Sequence, residues 1–561
     1  MASKTKSAGA EPEAPHKSNM GLVVGASSAA TAFEWYDFFI FGTLATVIAR
    51  NFFTGLPPAA GYIAALGLFG AGFAFRPLGA LVFGRIGDQL GRKGAFLTTV
   101  LLMGAATFII GLLPTYAQAG IIAPILVILM RIIQGFALGG VYGGAAISVA
   151  EHSPQASRGY MVSWIQTSAA IGLLTALLVI LLLRTLLGNA AFDAWGWRIC
   201  FLASAGLLAV SVWMRVKMTE SPIFAEMEGE GGGEAAEDKG PVKAVYGETF
   251  GKWKNLKLVL LAFFAVMCAQ GAVWYTAFFY TQIFLEKSLK VDPATTTAMT
   301  MGVVALSAPM YIVFGHLSDK IGRKPVMLGG MIVALLFYFP GFHALQQAAN
   351  PALAAASAAS PVIVVADPAD CALQFDPVGK TQFTSSCDIA KSYLANTGVS
   401  YQNRAAAAGT PAVVHVGDAS IVSASAAGAD GKDVKAKVEG DIKAALAAHG
   451  YPAKADPAQM NKPAMFGLLL ILAVAATALY GPLSTALVEL FPTRIRYTAL
   501  SVPYHIGAGW IGGFLPFTVF AIVTGTGDIF AGLWYPVIFT AISIVVCFFL
   551  MPETRKRSLQ F

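Results

Sequence analysis

Two carboxylic acids stand in an otherwise apolar part of the chain. Glu34 and Asp37 lie three residues apart in the stretch TAFEWYDFFIFGTLATV (residues 31–47), and on a helix this spacing places both on one face. A carboxylate at the centre of a bilayer costs roughly 2.5–3.5 kcal/mol on insertion scales. Two acids close together at low dielectric constant cannot both ionise cheaply, so one of them is suited to bind a proton. We predict that Asp37 and Glu34 accept protons; the alternative is a static ion pair that only orders the helices.

Two arginines occupy similar depths in the predicted membrane helices. Arg131 lies near the middle of its helix, and Arg76 lies in the cytoplasmic half of its own. A guanidinium binds a carboxylate with two parallel hydrogen bonds, so we predict that both arginines bind the carboxylate of a substrate. The alternatives are that they neutralise the two acids, or that Arg131 bonds to helix carbonyls as a gate or scaffold.

A wider set of polar and aromatic side chains lies in the same predicted helices. Taken singly, each is more often part of helix packing than a ligand contact, but two groups that face each other across a cleft suit the binding of a small molecule. The first half of the chain supplies Gln134, Tyr142 and Gln166; the second half supplies Gln270, Trp274, Tyr275, Tyr480, Tyr504 and His505. We place His505 close to the cytoplasmic end of its helix, where a solvated histidine is ordinary.

Membrane-spanning helices must hold these residues. Of the 561 residues, 56% are hydrophobic and 12% are charged, and that charged fraction is about half of the roughly 25% found in soluble domains. Stretches of about 20 apolar residues, each long enough to cross the hydrocarbon core, recur along the chain. Twelve such stretches predict an all-α polytopic membrane protein. The polar linker at 219–255 splits them six and six, and a loop that recurs at 84–93 and 315–324 indicates that the two six-helix bundles are pseudo-symmetric.

The sequence carries no signature of enzyme or pump chemistry. The chain contains no G-x-x-x-x-G-K-[ST] loop of the kind that holds nucleotide phosphates, so we do not expect ATP-driven activity. We find no set of a nucleophile with its base and no cluster of metal ligands. We therefore predict no enzyme activity, no cofactor and no metal. The expected driving force is a proton gradient.

Lysines and arginines in the short loops predict the orientation. The basic segments are GRIGDQLGRKG, GHLSDKIGRKP, FPTRIRYT and the tail PETRKRSLQF, whereas the alternate loops are nearly free of basic residues. Positive charge marks the cytoplasmic side, so both termini are predicted to face the cytoplasm of a bacterium, with the helices in its inner membrane. The net charge of +7 belongs to this asymmetry and requires no nucleic acid. We expect a monomer surrounded by lipid.

Two polar segments interrupt the helices and divide the chain. The predicted parts are a cytoplasmic N-terminal tail (1–20), the first six-helix bundle (21–218), a cytoplasmic linker (219–255), helices seven to nine (256–344), a periplasmic insertion (345–463), helices ten to twelve (464–551) and a cytoplasmic tail (552–561).

The insertion contains short β-like runs followed by a helix-like run. The runs PVIVVAD and PAVVHVGDASIVSA precede DVKAKVEGDIKAALAAHG, which favours a small α/β module over a flexible alanine-rich loop. Cys371 and Cys387 lie in this segment, and in an oxidising compartment a disulfide between them is worth roughly 3 kcal/mol. The alternative is two free thiols; a zinc site is less favoured because no His or Cys at zinc spacing accompanies them.

One loop occurs twice. GRIGDQLGRK (84–93) recurs as GHLSDKIGRK (315–324), each after the second span of its half, and such duplication is typical of secondary transporters built from two related halves. Carboxylates in these loops can accept hydrogen bonds at helix ends. The gating residues predicted from the loops are Asp88, Arg92, Asp319 and Arg323.

Two further acid–arginine pairs are predicted at the cytoplasmic side. Glu151 with Arg158, and Glu489 with Arg494, follow the fourth and tenth spans. We expect each pair to form or break as the two halves rock.

The repeated loops resemble the signature of the major facilitator superfamily. RIIQGFALGG (131–140) resembles its fourth-helix motif, and TESPIF (219–224) resembles the segment after its sixth helix. More narrowly, EWYDFFIFG, FRPLGALVFGRIGDQLGRK, GGAAISVAEHSPQASRGY and WGWRICF resemble the metabolite:H⁺ symporter family, which includes carriers of 2-oxoglutarate, citrate, shikimate and proline or betaine. The resemblance implies twelve helices and alternating access. It covers nearly all of the chain except the insertion.

The chain departs from that family at two places. Val141 stands in GGVYGGA where the family usually carries an acid, so a coupling role for that position does not transfer. The insertion is absent from most members, so its role does not transfer either.

These observations predict a secondary transporter that couples inward H⁺ flow to uptake of a small organic acid. The nearest alternative is a symporter for compatible solutes such as proline or betaine, which an aromatic-lined site would favour. An alternative of another class is a nutrient sensor that binds without transporting, with the insertion as its binding surface.

Overall fold

The computed structural model describes residues 20–53, 58–216, 243–374, 383–428 and 430–559. Nearly all of the N-terminal tail predicted at 1–20, and most of the linker predicted at 219–255, lie outside the described residues.

Long helices make up most of the described chain. The first half consists of α1 (Met20–Thr43), α2 (Pro58–Leu90), α3 (Arg92–Leu112), α4 (Ile122–His152), α5 (Gln155–Leu187) and α6 (Asn189–Trp213). The second half consists of α7 (Trp253–Ser288), α8 (Pro293–Ile321) and α9 (Arg323–Ala349), then α10 (Pro351–Ala359), α11 (Ser386–Asn396) and α12 (Gly431–Ala448) of the insertion, then α13 (Lys462–Leu490), α14 (Thr493–Thr526) and α15 (Ala531–Leu550). Short helices are Ala45–Phe52, Tyr116–Ala119 and Lys243–Tyr246.

The predicted polytopic all-α fold is confirmed. In the part of the chain that the structure describes, ten helices, α3–α9 and α13–α15, are long and apolar enough to cross a membrane. The other two predicted spans correspond to α1 and α2, which pack against α5 and α4. We call the end of the membrane domain that carries loops 84–93 and 315–324 the loop end, and the opposite end the insertion end.

The two halves meet where α5 packs on α8 and α2 packs on α14. Glycines allow the closest approach: a Cβ on Gly159 of α5 would lie 2.6 Å from the carbonyl oxygen of Gly315 on α8. Within the second half, α7 contains π-helical turns at Phe263–Met267, Thr276–Tyr280 and Phe284–Ser288. Such turns occur preferentially at functional sites, and this helix faces the first half.

The insertion folds as the predicted small α/β module. Its sheet has the order β2-β1-β3-β4, formed by β1 (Val362–Ala366), β2 (Tyr401–Ala405), β3 (Val413–Val416) and β4 (Ala419–Val422). Because β1 and β2 are parallel, the chain must cross over between them, and α11 lies in that crossover. Cys371 and Cys387 are joined by a disulfide, which ties the segment after β1 to the first turn of α11.

Strand β2 attaches the module to the connection between α14 and α15. The backbone N–H of Tyr401 donates to Gly527 O at 2.6 Å, and its hydroxyl donates to Thr524 O at 2.5 Å. Asn403 Nδ2 donates to Thr526 O at 2.8 Å. The module is therefore hydrogen-bonded to the second half of the membrane domain.

The module contains a histidine that makes its local stability depend on pH. His449 Nε2 lies 2.7 Å from Asp418 Oδ1 and Nδ1 lies 2.8 Å from Ala445 O, and these two acceptors raise the pKa of His449 above 6.5. The stabilisation is complete below pH 6.5 and is lost as the pH rises through the raised pKa. We expect amide hydrogen exchange in the β3–β4 turn of the full chain to quicken a few-fold from pH 6 to pH 8, beyond the intrinsic rate change. Asp418→Asn should reduce this dependence, because the Ala445 carbonyl still raises the pKa of His449, whereas His449→Asn should abolish it.

Candidate functional site

Four predicted ionisable side chains are buried together in the first half. Glu34 and Asp37 lie on α1, Arg76 lies on α2 and Arg131 lies on α4, and each is 6% exposed or less. When all four are ionised, their charges sum to zero. Burial of charge is tolerated only when the charges compensate one another, and this set meets that condition.

Asp37 is held by a complete set of partners within the first half. Its carboxylate accepts hydrogen bonds from Thr107 Oγ1 and Gln134 Nε2, both at 2.9 Å, and Arg131 NH1 lies 3.4 Å from Oδ2. Arg131 also donates to Gln134 Oε1 at 2.7 Å, and its guanidinium stands 4.0 Å from the ring centroid of Phe41. This arrangement corresponds to the static ion pair that the sequence left open as an alternative.

Glu34 and Arg76 are held less completely. Glu34 Oε2 and Arg76 Nε are buried without a hydrogen-bond partner among the described residues. Arg76 packs over the ring of Phe73, 4.4 Å from its centroid, and its positive charge acts on Glu34. Buried donors and acceptors that lack partners cost free energy. Arg131 Nε also lacks a partner in the part of the chain that the structure describes, but the Asp37 carboxylate accepts hydrogen bonds from three side chains. Glu34 is therefore the acid prepared to receive a proton, and over the described ranges Arg76 is the arginine of the cluster without a hydrogen-bonded carboxylate.

Aromatic rings from both halves meet beside Arg76, whose guanidinium lies over two of them. Trp35 lies 5.1 Å from Trp274, ring centroid to centroid, and Phe73 lies 6.1 Å from Tyr275. Further rings of α1 and α7 that meet there are Phe38, Phe39 and Phe279. Of these seven rings, Trp274 and Tyr275 were predicted as site residues. The others were missed, although the helical spacing of Trp35, Phe38 and Phe39 beside Glu34 was visible in the sequence.

Hydroxyl and amide groups connect the halves on the loop side of the rings. Tyr142 and Gln166 of the first half both hydrogen-bond to Ser484 of the second half, and Gln166 Nε2 donates to the Tyr142 hydroxyl at 2.6 Å. The Tyr142 ring stacks on Tyr504 at 3.8 Å, and the Tyr504 and Tyr480 hydroxyls lie 2.6 Å apart. Four predicted residues therefore form one contact across the halves, with Ser484 as the member that the sequence analysis missed.

Three further positions that the sequence analysis singled out are buried. His505 is fully buried, with Arg76 beside it, so the prediction of a solvated histidine near the helix end is wrong; the packing of α14 against α2 covers it. Gln270 is 2% exposed, and its Oε1 has no partner among the described residues. Val141, where the resembling family has an acid, is fully buried in the apolar core.

The repeated loops bind helix starts of the opposite half. Asp319 of the second half accepts from two successive backbone N–H groups near the start of α5, at 2.8 and 2.7 Å. Asp88 of the first half accepts from two successive N–H groups near the start of α14, at 3.0 and 2.9 Å. Free N–H groups at a helix start attract anions. The two copies of the loop thus make equivalent contacts at the loop end, in which Asp88 and Asp319 each bind a helix start of the opposite half.

Glu489 is the centre of one buried cluster at the loop end. It accepts from Arg158 NH1 of the first half at 2.9 Å and from Arg323 NH2 of the second half at 3.1 Å. Thr554 in the C-terminal tail donates its hydroxyl to Oε2 at 2.8 Å.

Glu151 is the centre of a second cluster with the halves exchanged. Arg496 NH1 of the second half donates to Glu151 Oε1 at 2.6 Å, and Arg92 of the first half pairs with the same oxygen. Each acid thus has one arginine from its own half and one from the opposite half, which closes the loop end.

The partners predicted from proximity in the sequence are wrong. Glu151 does not pair with Arg158, and Glu489 does not pair with Arg494, since each acid bonds to arginines from elsewhere in the chain. Arg494 instead contacts Glu248 at 3.2 Å, and its side chain is 72% exposed. The predicted partners were neighbours in the sequence and therefore belong to the same half. The ion pairs that close the loop end instead join residues of different halves.

The C-terminal tail covers the loop end and was not predicted to have a role there. Leu559 is 3% exposed, and its carbonyl accepts from Arg496 NH2 at 2.7 Å. The Arg557 carbonyl accepts from Arg158 NH1 at 3.5 Å and from Gln155 Nε2 at 3.4 Å, both of the first half. The tail therefore lies on the second half and touches the first.

Deleting residues 555–561 is expected to increase the fraction of molecules open at the loop end. The deletion removes weak hydrogen bonds that exist only when the halves are together. We therefore expect the ratio of open to closed molecules to rise roughly twofold to tenfold. The measurement is the distance between spin labels at Ala156→Cys and Lys320→Cys, both exposed. Lys556→Gln, which leaves the backbone in place, is the control. An unchanged distance distribution on deletion would contradict a role for the tail.

Two known families match this chain, one on each side of residues 367–442. Residues 28–366 match the Major Facilitator Superfamily, and residues 443–560 match the family described as sugar (and other) transporter. The glycine betaine/proline/ectoine/pipecolic acid transporter OusA of Dickeya dadantii is 34% identical over 326 residues, which cover 57% of this chain and 63% of OusA. The shikimate transporter of Escherichia coli is 36% identical over 328 residues, which cover 57% of this chain and 71% of that protein.

A solved structure extends the likeness to the fold. The proton:xylose symporter XylE bound to 6-bromo-6-deoxy-D-glucose superposes with a TM-score of 0.62 at 14% identity, over 96% of this chain and 97% of XylE. At this identity the likeness concerns the fold alone. The matched part of this chain spans 63% of the length of OusA, less than two thirds of that relative.

Proposed function

This chain belongs to the major facilitator superfamily, and from that premise we propose that it is a secondary transporter that couples inward H⁺ flow to uptake of a small organic acid. The observation that carries the proposal is the pair Glu34 and Arg76, buried with unpartnered polar atoms beside aromatic rings of both halves. Substrate sites of such transporters lie near the middle of the membrane, between the halves. We assign the loop end to the cytoplasm of a bacterial inner membrane.

Charge balance supplies the coupling. The four central charges sum to zero when the site is empty, and a monoanion held by Arg76 would leave one uncompensated negative charge away from water. A proton on Glu34 restores neutrality. Because an uncompensated buried charge costs several kcal/mol, the empty carrier and the carrier loaded with both proton and anion can close, whereas the half-loaded carrier cannot. Symport follows, with one proton for each monoanion.

Alternating access requires that one end open while the other is closed. In this structure the loop end is closed by the contacts of Asp88 and Asp319 with helix starts of the opposite half. The ion-pair clusters around Glu151 and Glu489 also join the halves there. We propose that these contacts break when the loaded site delivers its substrate to the cytoplasm. Asp88, Asp319, Glu151 and Glu489, together with their arginines, then act as the gate.

A zwitterionic solute such as proline or betaine is the second candidate. The aromatic rings around Arg76 favour it, because aromatic faces hold quaternary ammonium groups, and OusA is named for such solutes. A zwitterion brings no net charge, so the charge balance at Glu34 would not require a proton. The two candidates therefore differ in proton stoichiometry.

Uptake by proteoliposomes tests both candidates. The purified full chain is reconstituted, and uptake of 2-oxoglutarate, citrate, shikimate, proline and glycine betaine is measured under an imposed pH gradient. For an organic acid we expect accumulation that disappears when the gradient is collapsed, with one proton entering for each monoanion. Accumulation of betaine or proline alone would select the second candidate. If no compound of either class accumulates, the proposal of uptake symport is wrong.

A further inference from the structure

A cavity of about 540 Å³ lies at the insertion end, between the α/β module and the short connection from α7 to α8. The connection supplies one wall, and α11, α12 and the segment 451–454 supply the other. Cavities of this size suit small organic ligands. None of the four central charges lines it, so it is separate from the transport site proposed above.

Lys290 fixes the connection to the module. Its Nζ donates to Pro452 O at 2.9 Å, and its carbonyl accepts from the N–H of Ala455 at 3.0 Å. Its φ of 60° is positive, which among the described non-glycine residues is found only here. Such strained backbone is held only where the surroundings enforce it, and it collects at ligand sites. The two reciprocal hydrogen bonds keep the Lys290 ammonium at the cavity wall.

The cavity carries an excess of positive charge. The charged residues that line it are the cations Lys287, Lys290, Lys443 and Lys454 and the acids Glu286 and Asp292. Asp292 is engaged as the cap of α8, since it accepts from the N–H of Thr295 at 2.8 Å. In the described part of the chain no ion pair joins Lys290 to a carboxylate, and burial lowers the pKa of Lys290 to about 8. An anion in the cavity would supply the missing counter-charge.

The rest of the wall is apolar. Val291, Leu446 and Ala453 contribute aliphatic surface. Tyr451 presents its ring, because its hydroxyl is engaged with Ser360 O at 2.7 Å. We propose that this cavity binds a small organic anion in which a carboxylate is joined to a compact apolar body. The carboxylate binds the lysines, and the apolar body lies against the aliphatic and aromatic wall.

Calorimetric titration of the purified full-length protein tests the site. The probe is benzoate, which joins one carboxylate to an apolar ring, and inorganic phosphate at constant ionic strength is the comparison. The double variant Lys443→Gln/Lys454→Gln removes two exposed cavity lysines. Lys435→Gln/Lys437→Gln, on the helix that carries Lys443 but outside the cavity lining, is the control. We expect saturable benzoate binding at pH 7 in the wild type and the control, about tenfold weaker in the cavity variant. Binding should weaken from pH 7 to pH 9, since Lys290 loses its proton in that range.

Four results would overturn the proposal. The first is the absence of saturable benzoate binding to the wild type. The second is equal affinity in the cavity variant, and the third is phosphate binding as tightly as benzoate, which would remove the role of the apolar wall. The fourth is binding that survives in the cavity variant and disappears in Arg76→Gln, which would assign benzoate to the transport site. The titration does not depend on uptake, so failure of the proposed transport function would leave its outcome unaffected.

Discussion

Glu34→Gln is expected to abolish proton-driven accumulation while leaving exchange of substrate across the membrane largely intact. Glutamine is neutral, as protonated Glu34 would be, so the carrier loaded with an anion keeps a central charge of zero and can still close. The empty carrier is left with an uncompensated positive charge. Burying that charge costs several kcal/mol, so return of the empty carrier, and with it net uptake, should slow at least roughly 100-fold. The measurement is gradient-driven uptake beside counterflow exchange in the same proteoliposomes.

Asp37→Asn provides the contrast, because it removes a charge that already has its partners. The variant leaves Arg131 buried without its carboxylate, a loss of roughly 3–5 kcal/mol. We expect both uptake and exchange to be lost, together with a lower melting temperature of the purified protein. Thr107→Val, which removes one hydrogen bond to Asp37 and one from Gln134 but no charge, should reduce stability less and retain exchange. If Asp37→Asn instead loses uptake and keeps exchange, Asp37 is the proton carrier and the assignment to Glu34 is wrong.

The chemistry of the site was predictable where a residue type is costly in its surroundings. Glu34, Asp37, Arg76 and Arg131 stand out in an apolar sequence, since a buried charge requires a reason. Which acid is already satisfied was not predictable. That distinction depends on Gln134, whose side chain reaches Asp37 on another helix.

The aromatic lining was harder to recognise for the opposite reason. A phenylalanine in a membrane helix costs nothing whether it faces lipid, core or ligand, so Phe38 and Phe279 carry no signal of their own. Only the packing of α1 against α7 brings them to one surface. The attachment of the α/β module to the connection between α14 and α15 could not be predicted either. Tyr401 and Asn403 make it, but polar residues are ordinary in a segment outside the membrane, and their types do not identify a partner.

The closed loop end yields the second large effect. Glu489→Gln removes the carboxylate that Arg158 and Arg323 share across the halves. In the closed state Arg158 is then buried without a carboxylate, whereas Arg323 keeps its ion pair with Asp319. Opening lets water reach Arg158. Removing one partner of a buried ion pair costs roughly 3–5 kcal/mol. Because this cost falls mainly on the closed state, we expect the ratio of open to closed molecules to rise by roughly 100-fold or more.

The spin-label pair at Ala156→Cys and Lys320→Cys measures this shift directly, as a longer distance between the two halves. Arg158→Gln should move the distribution the same way from the opposite half, which separates gating from a folding defect at Glu489. Glu248→Gln is the matched control, since the Arg494 side chain of its ion pair is 72% exposed and solvent-accessible pairs are worth about 0–1 kcal/mol. If Glu489→Gln leaves the distances unchanged while the protein remains folded, the cluster orders the loop end without controlling its opening.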